Sequence, residues 1–231
     1  MFKAIVFDIG QTLVEYNKPL NWSKLYRPAL QNAADQCRLN LLEEQYQNAI
    51  AVLTKYNTRI NPRIHEVSST QIFEEILTDI NLPGENMELM KFHFYSYFRQ
   101  DVSLYPETEE TLKTLHEKGI LLGTLSDVAY GMDNKYALED IVAVRKYIQY
   151  PFTSNDVGYR KPSAKGLQFL AEKMDVAISE MIFVGDEEKD IACAKSAGAY
   201  AVLINRNHEV KEYGQDREIA CLEELLDIVN R

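Results

Sequence analysis

The residues of this chain best placed for chemistry are acids, a hydroxyl and a lysine, most of them at the end of an apolar run. Asp8 closes the run Ala4-Ile5-Val6-Phe7 and is followed by Ile9-Gly10-Gln11-Thr12-Leu13. A short run of β-formers that stops at an acid and then a glycine reads as a central parallel strand. It would deliver the carboxylate to the crevice where open α/β sheets bind ligands. Leu121-Leu122-Gly123-Thr124-Leu125 ends likewise on Ser126-Asp127. Val157-Gly158-Tyr159-Arg160-Lys161-Pro162 sets a loop cation ahead of a helix, and Met181-Ile182-Phe183-Val184-Gly185 ends on Asp186-Glu187-Glu188-Lys189-Asp190. In chain order these give a carboxylate able to act as a nucleophile, a hydroxyl, a lysine and an acidic pair. Taken singly, each has an ordinary explanation. Asp186 and Asp190 could be a solvated helix start with Asp190 as its N-cap, Ser126 a turn residue, and Lys161 a surface lysine. Only the ordered set outweighs these.

The elements that must position the set come in two styles. From Pro106 onward the pattern alternates. A helix over 107–118 ends at Gly119, a strand follows over 120–125, and a short helix near 133–138 leads to a strand near 150–153. Then come a helix over 163–174, a strand over 181–184, a helix near 190–197 and a strand over 200–204, with a final amphipathic helix over 222–229. Such alternation implies a parallel sheet with right-handed crossovers. Between Thr12 and about Asp101 the pattern is helical instead, over 21–38, 41–56, 69–80 and 85–98, with Pro83-Gly84 breaking the third helix from the fourth. This stretch is an insertion after the first strand.

Composition narrows the partners. At 231 residues the chain holds one large domain or a core with a smaller module. A formal net charge of −10 argues against nucleic acid and against an anionic membrane surface. It leaves room for an anionic small molecule, because a lysine and a metal can make one site positive. Cys37, Cys193 and Cys221 form no CxxC and read as free thiols of a reducing compartment. The amino terminus runs straight into the first strand, with no signal peptide, and no apolar stretch approaches a membrane span. The expected location is the cytoplasm.

The order and contexts of the four segments resemble the haloacid dehalogenase superfamily, whose members are mostly phosphatases. The resemblance implies a Rossmann-like α/β core at 1–14 and 101–231, a parallel sheet with helices on both faces, and an inserted α-helical cap domain at 15–100. It implies that Asp8 is the nucleophile and also a ligand of Mg²⁺. The backbone carbonyl of Gly10 and the side chain of Asp186 complete the protein ligands, with Asp190 supporting them through water. Ser126 would hydrogen-bond a phosphoryl oxygen, Asp127 would stand beside it at the substrate, and Lys161 would hold nucleophile and phosphate together. The implied substrate is a small phosphorylated metabolite. These roles suit phosphoryl transfer, which asks the protein mainly for positioning and neutralisation of charge. A carboxylate nucleophile splits hydrolysis into formation and breakdown of an acyl phosphate. Thr12 is expected to close the turn after Gly10 with its hydroxyl.

The pattern is broken at one position. The resembled phosphatases carry a second Asp two residues after the nucleophile as general acid and base, and here that residue is Gly10. A backbone carbonyl survives the change and a proton donor does not, so hydrolysis should favour aryl or acyl phosphates over alkyl ones. Asp127, Gln11 and Glu15 are the candidate replacements. The same gap keeps two rivals open. One is a dehalogenase-like hydrolase, with Arg27 or Arg38 as its arginine, although the retained acids speak for a metal that dehalogenation does not use. The other is a member that binds a phosphorylated ligand or a protein without turnover. In the helical insertion, Tyr16, Trp22, Tyr26, Tyr46 and Tyr56 read first as packing, and Arg59, Arg63 and His65 as a solvated loop with substrate contact as the alternative. His93, His116 and His208 read as structural.

Overall fold

The computed structural model describes residues 1–16, 21–99 and 102–230. Among these residues one six-stranded sheet, all parallel, runs in the order β5-β4-β1-β6-β7-β8. Its strands are β1 (Ala4–Phe7), β4 (Leu121–Ser126), β5 (Tyr150–Thr153), β6 (Met181–Gly185), β7 (Tyr200–Ile204) and β8 (Arg217–Ile219). The central strands are buried on both faces, so alternate residues feed two separate cores. Ile5, Phe7, Ile182 and Val184 point to one side, packing with Leu112 and Leu115 of α5 (Thr108–Glu117) and Leu225 of α10 (Leu225–Val229). Val6, Met181 and Phe183 point to the other, against α8 (Lys165–Met174) and α9 (Glu188–Ala197). The expected α/β core with helices on both faces is therefore observed.

The insertion is helical as expected: α1 (Trp22–Gln36), α2 (Glu43–Lys55), α3 (Ser69–Asp79) and α4 (Met87–Tyr97). They enclose a third core that includes Ala33, Leu53, Ile76 and Phe94 and also takes in Tyr130 from the loop after β4. The expected seam at 100–101 lies outside the described residues.

Three features depart from the expectations. Residues 14–16 and 102–104 form a two-stranded antiparallel ribbon, β2 (Val14–Tyr16) with β3 (Val102–Leu104), at the two ends of the insertion. Three-residue strands are too short for a period to register, and β8 escaped notice for the same reason. The helix expected near 133–138 is cut to α6 (Asn134–Ala137) between single 3₁₀ turns, while another one-turn helix, α7 (Ser154–Val157), follows β5. The carboxyl-terminal helix begins as a 3₁₀ turn over Leu222–Glu224 before α10.

The loop at 57–67 is not merely solvated. Its end pairs with the stretch leading to Lys161. Glu66 N–H donates to Gly158 O at 2.9 Å and Arg160 N–H to Ile64 O at 2.8 Å. The Arg160 guanidinium binds the buried Glu66 carboxylate and also donates to Val128 O at 2.7 Å. Ser154 Oγ donates to the same carboxylate at 2.5 Å. Thus the insertion is tied by a buried ion pair to the residue next to Lys161.

Candidate active site

The first strand ends at the centre of the sheet, with β4 on one side and β6 on the other. At that switch in strand order the three carboxyl ends open into one crevice. Asp8 follows β1, Ser126 ends β4, and Asp186 follows β6; all three line a cavity of about 540 Å³ together with Gly10, Asp127 and Lys161. Residues separated by well over a hundred positions are thus brought together by parallel register alone.

Lys161 is the electrostatic hub. Its Nζ donates to Asp8 Oδ1 at 2.8 Å and lies 2.6 Å from Asp190 Oδ1, with its side chain 1% exposed. Burial disfavours the ammonium, but Asp190, Asp8 and Asp127 more than offset this and hold its pKa well above the usual lysine range. Asp190 is itself fixed: it is buried, and its Oδ2 accepts from Glu187 N–H at 2.9 Å at the start of α9. Its N-cap-like bond and its place in the site are therefore not alternatives. A Cβ on Gly185 would sit 2.4 Å from the Asp190 carboxylate, so only glycine lets β6 pass this close.

Carboxylate oxygens of Asp8, Asp186 and Asp190 all lie within 4.8 Å of one another. One lysine cannot balance three carboxylates. The imbalance falls on Asp186, whose carboxyl is pushed up to about 7 by burial and then by Asp8, Asp190 and Glu187, against the pull of Lys161. Burial likewise raises Asp190, outweighing the opposing pull of Lys161. A cluster of hard oxygen donors that lacks positive charge fits a divalent cation.

The remaining expected residues divide. The Asp127 carboxylate accepts from Lys161 N–H at 3.1 Å and lies 3.8 Å from Lys189 Nζ, so it braces the lysine loop. Gln11 Oε1 accepts from the Tyr105 hydroxyl at 2.9 Å, and Glu15 is exposed. The expected role for Thr12 is not met: its buried hydroxyl has no partner among the described residues. Arg59 and Trp22 line the cavity, with Trp22 stacked on Phe98 at 3.7 Å. Arg63 donates instead to Tyr56 O at 2.7 Å, and exposed His65 lies against Tyr159. Tyr26, Tyr46 and Tyr56 pack in the helical core, as expected.

Asp140 lines the cavity without any signal in the sequence. Tyr16, read as packing, stands at the cavity, and its hydroxyl donates to Asp140 Oδ2 at 2.9 Å. Nothing in the local sequence of either residue signals a contact across 124 positions.

Comparison with known proteins adds an independent line. Residues 2–198 match the model of the haloacid dehalogenase-like hydrolase family. A ribulose-1,5-bisphosphate 5-phosphatase of Halopiger xanaduensis is 27% identical over 167 residues, spanning 68% of this chain and 69% of that one. A phosphoglycolate phosphatase of Escherichia coli is 26% identical over 66% of this chain, and the match spans 60% of its own length. In structure, a 2-haloacid dehalogenase from Pseudomonas syringae pv. Tomato superposes with a TM-score of 0.66 at 20% identity, covering 100% of this chain and 99% of the other. At that identity the likeness is one of fold. Among the described residues no helix is long and apolar enough to cross a membrane.

Proposed function

The chain belongs to the haloacid dehalogenase-like hydrolases, and from that premise we propose that it is a Mg²⁺-dependent phosphomonoesterase acting through an aspartyl-phosphate on Asp8. The observation that carries the proposal is the cluster of Asp8, Asp186 and Asp190 about one buried lysine, a site short of positive charge that opens onto the cavity at Asp8 and Asp186. The sequence relatives named above are phosphatases of small phosphorylated metabolites, which supports the same substrate class here. A charge-deficient acidic cluster fits a metal, which dehalogenation does not use, so the acids favour phosphoryl transfer.

Asp8, the carbonyl of Gly10 and Asp186 would hold the metal, with Asp190 behind them. Bound there, the ion would neutralise charge between the nucleophile and the phosphoryl oxygens. Lys161 orients Asp8 through the hydrogen bond from Nζ to Oδ1, and Ser126 takes a phosphoryl oxygen. Asp127 and Asp190 hold Lys161 in place. The Asp8 carboxylate attacks phosphorus as the ester oxygen departs, and water then cleaves the acyl phosphate. The helices α1–α4 act as the cap, with Trp22, Phe92 and Phe98 lining the cavity that Asp8 also lines.

The test is hydrolysis of p-nitrophenyl phosphate with Mg²⁺ and with chelator, beside Asp8→Asn. Activity should require the metal and vanish in the variant. Turnover that survives either change refutes the proposal.

A further inference from the structure

Gly10 stands where the resembled phosphatases carry their acid, and another residue fills the space. A Cβ built on Gly10 would lie 2.8 Å from Cε2 and 3.6 Å from Oη of Tyr16. Any side chain at position 10 would therefore compete with the hydroxyl end of that ring. Tyr16 is held firmly: it pairs with Val102 across the β2–β3 ribbon, and its hydroxyl is bonded to Asp140. Both residues face the same cavity as Asp8. Of the three replacements considered from sequence, Glu15 is exposed, Asp127 is held by the Lys161 N–H and Gln11 by the Tyr105 hydroxyl. Chain neighbours aside, the atoms nearest to where a position-10 side chain would begin all belong to Tyr16.

Building on the phosphatase reading, we infer that Tyr16 hydrogen-bonds the leaving-group oxygen in place of an acid at position 10, and that Asp140 positions it. As the bond from Asp8 to phosphorus forms, the bond from phosphorus to the ester oxygen breaks and its electron pair stays on that oxygen. The neutral phenol donates to this developing charge. The departing alcohol takes its proton from solvent, and the water that later attacks the aspartyl-phosphate releases one, so ester and water give alcohol and phosphate. Burial raises the Asp140 carboxyl above its usual range, against the hydrogen bond from Tyr16. Once protonated, Asp140 would donate to Oη and leave the phenol's own hydrogen for the ligand. A donor aimed at developing charge is worth about 10²–10³ in rate where that charge is large. On a nitrophenolate, which spreads its charge into the ring, it is worth far less.

The experiment measures kcat/KM for a series of aryl phosphates running from p-nitrophenyl to phenyl phosphate, in the wild type, Tyr16→Phe and Asp140→Asn. Tyr16→Phe should slow phenyl phosphate at least about tenfold more than p-nitrophenyl phosphate, whereas Asp140→Asn, whose amide can donate to Oη as the protonated acid would, should keep the leaving-group dependence of the wild type. A Tyr16→Phe protein that slows the whole series equally, or not at all, overturns the inference. Should Tyr16→Phe fail to fold, Gly10→Asp decides. Alone it should lose activity, while in a Tyr16→Ala background it should exceed Tyr16→Ala on phenyl phosphate. A gain in Gly10→Asp with Tyr16 intact overturns the inference. A wild type without Mg²⁺-dependent turnover removes the phosphatase reading and this inference with it. A wild type that depends on Asp8 but not on Tyr16 removes the inference alone.

Discussion

Replacing Lys161 by Met keeps the length and apolar stem of the side chain and removes its charge from between two buried carboxylates. The ammonium lies 2.8 Å from Asp8 and 2.6 Å from Asp190. At such separations each attraction is worth about 6 kcal/mol gross, with an effective dielectric constant near 20. Desolvation of the ions offsets most of this, and removing one member of a buried pair costs about 3–5 kcal/mol net. For a chain of this size that corresponds to a melting temperature lower by roughly 6–20 °C. The deficit has a definite pH dependence. The folded Asp186 carboxyl sits at about 7 against an ordinary 3.8. Its folded pKa exceeds its unfolded one, so the folded state holds the extra proton between those values. Stability of the metal-free protein therefore falls as pH rises from about 4 to about 7. Loss of Lys161, which pulls Asp186 and Asp190 down, raises both further. The gap between Lys161→Met and the wild type should then be wider at pH 8 than at pH 5. Added Mg²⁺ should narrow it at pH 8 by returning positive charge to the cluster. Thermal melts of both proteins in chelator at the two pH values, then with Mg²⁺ at pH 8, check this. A gap that is small, or equal at both pH values, refutes the view of Lys161 as counter-charge to the triad.

Gly185→Ala should destabilise the chain by about 1–3 kcal/mol and slow p-nitrophenyl phosphate hydrolysis, because the new methyl would displace the Asp190 carboxylate that meets Lys161. A melting temperature and rate equal to wild type would show that Asp190 does not need its place. Burial pushes the Cys193 thiol up to about 12, so an aromatic disulfide reagent should label Cys37 and Cys221 in the native protein and reach Cys193 only on unfolding. Release of three equivalents at one rate would contradict that.

The strands that carry the site were legible because each is a buried apolar run ending on a polar residue. β1, β4 and β6 have that form, and their ends supply Asp8, Ser126 and Asp186. The insertion was legible from its helical period, and Gly10 from its place two residues beyond Asp8. Elements of one turn or three residues, such as α7, β3 and β8, carry too few side chains for a period and came only from the folded chain.

By itself the sequence determined the layered α/β core, the inserted helices and the order of the acidic, hydroxyl and lysine residues, since all of these are written in local hydrophobic pattern. Tertiary structure alone decided which groups face one another. Lys161 meets Asp8 across 153 positions, Glu66 meets Arg160 across 94, and Tyr16 meets Asp140 across 124. Such contacts depend on how strands pair and helices pack, and no local property of either partner encodes them. That is why Tyr16 looked like packing in the sequence and stands against Gly10 in the fold.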